Sequence, residues 1–289
     1  MPASPSLRRR RLAAELRRLR DQSGLSIGDV AEKLGWPGSR ISRIETRQLG
    51  VSAADLRRLL DVYGLDDPAY RERLADLARR ANERGWWQSQ SYSRYIIPGE
   101  YGDLITVEQE ASTIRTYQPE LVPGLLQTAA YARAVVETGR KRDTGADIER
   151  RVQVRLERQN VLFRSEPPPP RFHVILNEAV LRRRVGGPDV MREQIRFLLA
   201  ERDPANVTIQ VLPFDSGAHP AMVGPFVMMT FLDPGDLGVV HLENALGSLF
   251  LETPEELRAY EEFWDDIQSR AYSPEDTQAF MRTYSLRYG

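Results

Sequence analysis

Residues 24–46, which read GLSIGDVAEKLGWPGSRISRIET, restrict the fold of this chain more than any other stretch. Their apolar side chains recur at helical spacing in two short blocks, separated by a turn-forming sequence. The two blocks contain Val30, Ala31 and Leu34, and then Ile41 and Ile44. The stretch therefore predicts two short helices joined by a tight turn, each with one buried face.

Local signals set the ends of the first of these helices. Ser26 precedes the block, and its hydroxyl can accept a hydrogen bond from a backbone N–H two or three residues later. Gly35 follows the block, where a residue that tolerates a positive φ is needed to end a helix. We therefore expect the first helix to lie between Ser26 and Gly35.

The second predicted helix has polar side chains on the face opposite its two isoleucines. These outward residues are Ser39, Arg40, Ser42 and Arg43. A short helix with one buried face and one face of serine and arginine is typical of helices that read DNA. We expect an arginine to read the base sequence, because its guanidinium fork matches the two acceptors of guanine.

The pattern LSxxxVAxxLG followed by ISRIE resembles the helix-turn-helix of the phage-repressor, or XRE, family. The resemblance implies that Ser26 binds a DNA phosphate and that the outward residues of the second helix enter the major groove. It also implies a structural ion pair between Arg20 in a preceding helix and Glu45 at the end of ISRIE. The alternative is an ordinary helical hairpin without a role in DNA binding.

Three positions depart from the family pattern. Ile27 replaces a glutamine that commonly lies beside the DNA backbone, so one polar contact is expected to be missing. Pro37 and Gly38 replace a polar pair at the start of the reading helix, and glycine offers no side chain to a base. Arg47 replaces a common glycine, where it either contacts a phosphate or is simply solvated.

The composition excludes several classes of site. The chain has no cysteine, which excludes a disulfide framework, a thiolate zinc site and a cysteine nucleophile. The amino-terminal segment has no apolar core, and no apolar run approaches the roughly 20 residues that span a bilayer. We therefore expect a cytoplasmic protein without a membrane partner.

Charge is distributed unevenly along the chain. Residues 1–84 contain 18 Lys and Arg against 12 Asp and Glu, a net charge of +6, whereas the remainder contains 22 against 29, a net charge of −7. The basic part is the part that contains the motif. This asymmetry is expected of a nucleic-acid-binding module joined to an acidic second domain.

The periodicity along the chain predicts a multidomain protein. Residues 1–7 are expected to be disordered, and the rest of 1–84 is expected to form an all-α, five-helix, phage-repressor-like helix-turn-helix domain. Helical periodicity is lost at Gly85-Trp86-Trp87 and in the polar segment that follows, which predicts a linker over 85–100. Residues 101–289 are expected to form an α+β domain for regulation and dimerisation.

Within the α+β domain, strands are expected only after the proline run 167–170. Short β-branched or aromatic segments bounded by turn residues predict five strands, at 172–176, 207–212, 225–232, 239–243 and 249–252. Helical periodicity predicts helices at 101–117, 148–163, 178–185, 188–201, 254–271 and 274–284. Residues 121–134 are expected to form a proline-glycine turn followed by an apolar helix.

The motif, the GWW segment and the phrases LVPGLLQTAAYARA, NEAVLRRRVGG and VTIQVLP together resemble the WhiJ-like XRE regulators of actinobacteria. In that family the carboxyl-terminal domain is uncharacterised. The resemblance implies a small protein partner encoded by a neighbouring gene, and some such pairs are viewed as toxin and antitoxin.

No arrangement in the second domain predicts an enzyme, a metal site or a cofactor. Asp215, Ser216 and His219 lie within five residues, but a catalytic triad is normally assembled from separate segments. Glu178, Glu243 and Asn244 are expected at strand ends, where they either line a pocket for a small-molecule effector or cap helices and turns. The cluster of Met222, Met228 and Met229 is expected to fill the core rather than to form a binding patch.

The sequence thus predicts a transcriptional regulator that binds a palindromic site on double-stranded DNA as a homodimer. The predicted DNA-binding residues are Ser26, Ser39, Arg40, Ser42, Arg43 and Arg47. One alternative is an antitoxin-like protein that sequesters a small protein partner and binds DNA for autoregulation. Another is a repressor gated by a small-molecule ligand.

Overall fold

The computed structural model describes residues 7–46, 48–82, 86, 100–139, 143–200, 206–232, 238–244 and 247–288. These residues form two compact units, and the division falls within one helix, after Thr106. The predicted disorder before Leu7, most of the predicted linker at 85–100 and the predicted DNA contact Arg47 lie outside the described residues.

Five helices form a bundle in the first unit, which confirms the predicted all-α domain. They are α1 (Leu7–Gln22), α2 (Ile27–Leu34), α3 (Gly38–Glu45), α4 (Ala53–Val62) and α5 (Pro68–Asn82). The apolar residues that recur at helical spacing in the sequence form one shared core, with Leu16, Val30, Ile41 and Leu56 almost fully buried. Short amphipathic helices such as α2 and α3 are marginal alone, so this common core stabilises them.

The second unit is built on a six-stranded mixed sheet, which follows helix α6 (Glu100–Glu110). The strands are β1 (Thr113–Gln118), β2 (Arg171–Asn177), β3 (Val207–Leu212), β4 (Phe226–Thr230), β5 (Val239–Asn244) and β6 (Gly247–Leu251). Their spatial order is β3-β2-β1-β4-β5-β6. The first three strands are parallel to one another, whereas β4, β5 and β6 each run antiparallel to the neighbour before them in that order.

Helices cover this sheet and connect its strands. They are α7 (Ala129–Gly139), α8 (Gly145–Arg158), α9 (Glu178–Arg182), α10 (Pro188–Leu199), α11 (Pro254–Arg270) and α12 (Pro274–Arg287). Trp264 and Ile267 of α11 pack into the core of one sheet face, against residues that include Tyr117 and Phe226. The predicted α+β class is therefore confirmed.

The outer edge of β3 is closed by residues near α12. The backbone N–H of Val211 donates to the hydroxyl of Thr277 at 2.9 Å, and the carbonyl of Val211 accepts from the N–H of Tyr272 at 2.9 Å. An exposed strand edge is a template for pairing with other chains, and these contacts remove part of that template.

The sequence prediction was wrong at β1. A single helix was expected over 101–117, and strands were expected only after residue 170, but α6 ends at Glu110 and β1 follows at Thr113. The segment TIRTYQ is β-branched, and its buried residues include Ile114, Thr116 and Tyr117. Strand β1 is hydrogen-bonded to β2 on one side and to β4 on the other. Because both partner strands lie more than 50 residues away in sequence, local periodicity could not indicate this pairing.

Candidate nucleic-acid interface

Helix α2 begins at a capping box. The hydroxyl of Ser26 accepts from the N–H of Asp29 at 3.2 Å, and the carboxylate of Asp29 accepts from the N–H of Ser26 at 2.8 Å. Ser26 is exposed, so its hydroxyl is accessible to a further group. Hydrogen bonds from Ser26, its side chain first, lower the pKa of the Asp29 carboxyl.

The turn between α2 and α3 begins at Gly35. This residue has φ +67° and ψ +33°, the left-handed conformation that glycine adopts without strain. The next residue, Trp36, donates its N–H to the carbonyl of Ala31 at 2.9 Å and is 9% exposed. The left-handed turn therefore reverses the chain and places the Trp36 ring against the core.

Helix α3 has one buried and one outward face. Ile41 is 1% exposed and Ile44 is 3% exposed, and both belong to the core of the bundle. Ser39 and Arg43 are exposed, whereas Ser42 is half-buried. The side chain of Arg43 makes no hydrogen bond or ion pair with any of the described residues, so its guanidinium is available to an external partner.

Two departures from the family pattern meet at the start of α3. Ile27 is half-buried and packs against the core, and a Cβ built on Gly38 would lie 3.7 Å from its Cγ2 atom. The small residue at the beginning of α3 therefore lies beside an apolar residue at the beginning of α2. At this part of the candidate interface, an apolar contact replaces the polar side chains that the family pattern predicts.

Arg40 does not extend freely from α3 as the sequence pattern suggested. Its Nη2 donates to Oδ2 of Asp55 on α4 at 2.7 Å, and its Cζ lies 4.1 Å from the centroid of the Trp36 ring. The side chain of Arg40 is 37% exposed and that of Asp55 is 20% exposed. Arg58, also on α4, lies 5.2 Å from the same ring and donates to the carbonyl of Leu34 at 2.6 Å.

Sequence reasoning overlooked Trp36, Asp55 and Arg58. Asp55 lies three residues after Ser52, a spacing that predicts a helix cap rather than a partner for an arginine in another helix. The one available signal was Trp36, a large aromatic residue in a turn of a basic module, because arginines stack on tryptophan rings.

Arg20 and Glu45 lie together inside the bundle. The Nε and Nη2 atoms of Arg20 donate to the two carboxylate oxygens of Glu45 at 2.6 Å and 3.0 Å, and Nη1 donates to the carbonyl of Leu25 at 2.9 Å. Their side chains are 11% and 6% exposed. The ion pair therefore fastens α1 to the end of α3.

Two family models match the chain. Residues 101–283 match a domain of unknown function, DUF5753, and residues 11–74 match a helix-turn-helix domain. The chain belongs to the DUF5753 family. The matches confirm the predicted order of a helix-turn-helix module and an uncharacterised carboxyl-terminal domain, and the helix-turn-helix match points to a DNA-binding regulator. Searches of curated proteins and of solved structures found no match.

The phrase LVPGLLQT forms a buried structural segment of the DUF5753 domain. Its short 3₁₀ helix spans Gly124–Leu126. Gln159 donates to the carbonyls of Gly124 and Gln127 at 3.0 Å and 2.8 Å, and Gln194 bonds to the carbonyl of Leu126 and the N–H of Thr128, both at 2.7 Å. These contacts satisfy backbone groups that burial would otherwise leave unpaired.

A buried ion pair lies in the same domain, between Glu108 of α6 and Arg158 of α8. The two hydrogen bonds are 2.6 Å and 2.8 Å long, and the side chains are 2% and 10% exposed. Burial raises the pKa of the Glu108 carboxyl, and the charge of Arg158 opposes this rise. Burial, together with the charge of Arg158, lowers the pKa of His241 on β5 to about 4.

The acidic and amide side chains proposed for an effector pocket have structural contacts or are exposed. Glu178 accepts from the N–H of Phe214 at 2.9 Å and from the hydroxyl of Tyr284 at 3.0 Å. Asn244 accepts from the N–H of Gly247 at 3.1 Å, and Glu243 is exposed. These contacts therefore favour the interpretation that Glu178 and Asn244 stabilise helices and turns over the interpretation that they line an effector pocket.

The described residues bring no catalytic triad together at Ser216 and His219. The Ser216 hydroxyl donates to the carbonyl of Pro213 at 2.5 Å, and Nδ1 of His219 has no hydrogen-bond partner among them. Met228 and Met229 fill the core as expected, but Met222 is 68% exposed, so the prediction was wrong for that residue.

Metal-binding clusters and membrane-spanning helices are absent from the described parts of the chain. There, no group of His, Asp and Glu side chains is arranged to hold a metal ion. Among the same residues, no helix has the length and apolar character required to cross a membrane.

Proposed function

We propose that this protein is a sequence-specific transcriptional regulator whose helix α3 enters the major groove of double-stranded DNA. The observation that carries the proposal is Arg43, an exposed arginine without a partner among the described residues, on a helix whose opposite face is fixed in the core. Ser39 and Ser42 lie on the same short helix and would contact bases or backbone. The net charge of +6 over residues 1–84 supports attraction to phosphates.

Ser26 is proposed to position the module on the DNA backbone. Its hydroxyl oxygen already accepts in the α2 cap, and the first turn of a helix favours a nearby anion. A phosphate oxygen would accept the hydroxyl proton in place of the Asp29 carboxylate. Arg47 is proposed as a second phosphate contact, on the basis of its sequence position immediately after the helix-turn-helix motif.

The regulator is further proposed to bind a palindromic operator as a homodimer. One short reading helix contacts too few base pairs to specify a promoter, whereas two helices about 34 Å apart, or a multiple of that distance, would read two half-sites. The DUF5753 domain is the proposed site of dimerisation. Sedimentation of the full chain, with and without DNA, measures this state directly, and a monomer bound to one half-site would contradict it.

Selection from a random duplex library tests DNA recognition, because the library contains every short sequence that an operator half-site could have. The full-length protein should enrich one sequence family, and its affinity for that duplex should exceed its affinity for a scrambled duplex by about a thousandfold or more. Equal affinity for both duplexes over a range of salt concentrations would reduce the activity to non-specific binding and contradict the proposal.

A second candidate function is control by a small protein partner, with DNA binding serving autoregulation. Three large apolar side chains in the β3–β4 connection are exposed: Phe214 (50%), Met222 (68%) and Val223 (78%). Exposed apolar groups in one segment favour contact with another protein. Co-purification with the product of the neighbouring gene, followed by a gel shift with and without it, tests this candidate. If a small molecule from the cell changes the gel shift instead, the ligand-gated alternative is favoured.

A further inference from the structure

Arg40 and Asp55 form a contact between two helices of the DNA-binding module. Arg40 is the third residue of α3, and Asp55 is the third residue of α4. Their hydrogen bond is 2.7 Å long, while the guanidinium of Arg40 lies 4.1 Å from the centroid of the Trp36 ring. The carboxylate fixes one end of the guanidinium and the ring fixes its plane, so an otherwise flexible side chain has one preferred orientation.

The carboxylate of Asp55 is directed to this arginine instead of completing a helix cap. At Ser26, Thr144 and Thr253, the acid three residues later accepts from the backbone N–H of the capping residue. At α4, Ser52 accepts from the N–H of Asp55 at 3.1 Å, but the reciprocal bond is not formed. The cap of α4 therefore depends on the backbone N–H of Asp55, whereas the carboxylate of Asp55 accepts a hydrogen bond from Arg40.

The contact leaves Arg40 able to recognise a base. The Asp55 carboxylate takes one Nη2 hydrogen, and neither Nε nor Nη1 bonds to a described residue. Each edge of a guanidinium fork combines one Nη2 hydrogen with a hydrogen on Nε or Nη1, so one complete edge remains. With 37% of the side chain exposed, that edge can present two parallel donors to the N7 and O6 atoms of guanine.

We propose that Asp55 is a positioning residue that holds Arg40, against Trp36, as a preorganised guanine reader. This inference rests on the proposed function, because it assigns a specificity determinant within the same DNA-binding surface. A preorganised arginine loses less conformational freedom on binding, so its base preference is stronger than that of an unsupported arginine. Arg40 and Arg43 thus have different roles, since only Arg40 is oriented by the protein before DNA arrives.

The test compares the base preferences of Asp55→Asn with those of the wild-type full-length protein. Both proteins are used in selection from a random duplex library, followed by affinity measurements on single-base variants of the enriched duplex. We expect the Asp55→Asn protein to lose about tenfold of its preference for guanine at one position in each half-site, with the other positions unchanged. The helix should remain capped because Ser52 bonds to the backbone of residue 55.

Asp61→Asn is the matched control. Asp61 lies on the same helix and pairs with Arg71, and its replacement changes the net charge by the same amount. It should leave every base preference unchanged. Any general increase in affinity from the lost negative charge should appear equally in both variants, including on scrambled DNA.

A double-mutant cycle separates positioning from stability. Arg40→Lys keeps the charge but not the fork, so it should lose the same guanine preference as Asp55→Asn. Asp55→Asn should then have no further effect on base preference in the Arg40→Lys background. If the two single-variant losses of guanine preference add up in the double variant, the positioning role is contradicted. It is also contradicted if Asp55→Asn leaves the guanine preference intact.

Three outcomes of the selection also decide the question. Tighter binding of Asp55→Asn to the enriched duplex, beyond that of Asp61→Asn, would mean that Asp55 restrains Arg40 from DNA, and would overturn the inference. If the wild-type protein enriches no sequence, the proposed function fails and this inference fails with it. If the wild type enriches a consensus and both Asp55→Asn and Asp61→Asn enrich the same consensus, the positioning role is contradicted but the proposed function stands.

Discussion

Arg20 and Glu45 form a bidentate ion pair that joins α1 to the last residue of α3, with N–O distances of 2.6 Å and 3.0 Å. Hydrogen bonding to Glu45 raises the pKa of the Arg20 guanidinium, against the opposing effect of burial. Since α3 is the proposed reading helix, this pair fixes its end relative to the rest of the bundle.

Replacement of Glu45 by alanine should destabilise the helix-turn-helix module by about 3 to 5 kcal/mol, because it removes the buried carboxylate that neutralises the buried Arg20 guanidinium. Asp21→Ala is the control, since Asp21 also pairs with Arg20 at 2.8 Å but its side chain is 57% exposed. That loss should be below about 1 kcal/mol. Chemical denaturation measures both values, and equal values would remove the structural role of Glu45.

Replacement of Arg43 by alanine should weaken binding to the selected duplex. If Arg43 reads a base, affinity for scrambled DNA should be largely retained and preference at one base position should fall. Arg17→Ala is the control, because it removes the same charge from an exposed position on α1. A loss that is equal on both duplexes would reassign Arg43 to a phosphate contact.

Ser26→Asp should separate helix capping from phosphate binding. Aspartate caps a helix about as well as serine, so the free energy of unfolding should change little. A carboxylate would repel a phosphate, so affinity for both selected and scrambled duplexes should fall, by an amount that depends on salt concentration. Ser26→Ala should instead lose about 1 kcal/mol of stability. Unchanged DNA affinity of a folded Ser26→Asp protein would exclude the phosphate contact.

His241 should make the DUF5753 domain sensitive to acid. The folded-state pKa of about 4 lies below the ordinary value of 6.5, so the unfolded chain binds the proton more strongly. The stabilisation is therefore complete above pH 6.5 and is lost as the pH falls towards 4, by up to about 3 kcal/mol. His241→Leu should flatten this part of the stability curve.

Calorimetric unfolding between about pH 4 and pH 7 measures the effect of His241. His219→Gln is the comparison, because His219 is only half-buried and should account for a smaller part of the slope. Parallel curves for the wild type and His241→Leu would show that His241 does not carry the pH dependence.

Much of the helix-turn-helix module could be predicted from local sequence. The cap at Ser26, the left-handed turn at Gly35 and the burial of Ile41 and Ile44 all depend on neighbouring residues in the chain.

The second domain was predicted less completely. The strands at 172–176 and 207–212 were recognisable from β-branched composition, but β1 was assigned to the end of a helix. Its strand conformation depends on β2 and β4, which lie far away in sequence.

The sequence alone determined the two short helices, the caps of the first and the side chains that face outward from the second, because these features follow from periodicity and from hydrogen bonds within a few residues. Only the tertiary structure decided the partners of those side chains. Arg40 and Arg43 are equivalent in the sequence pattern, yet α4 brings Asp55 to Arg40 and no described residue pairs with Arg43. The physical reason is that an ion pair depends on distances of a few ångströms in space, and packing of separate helices sets those distances.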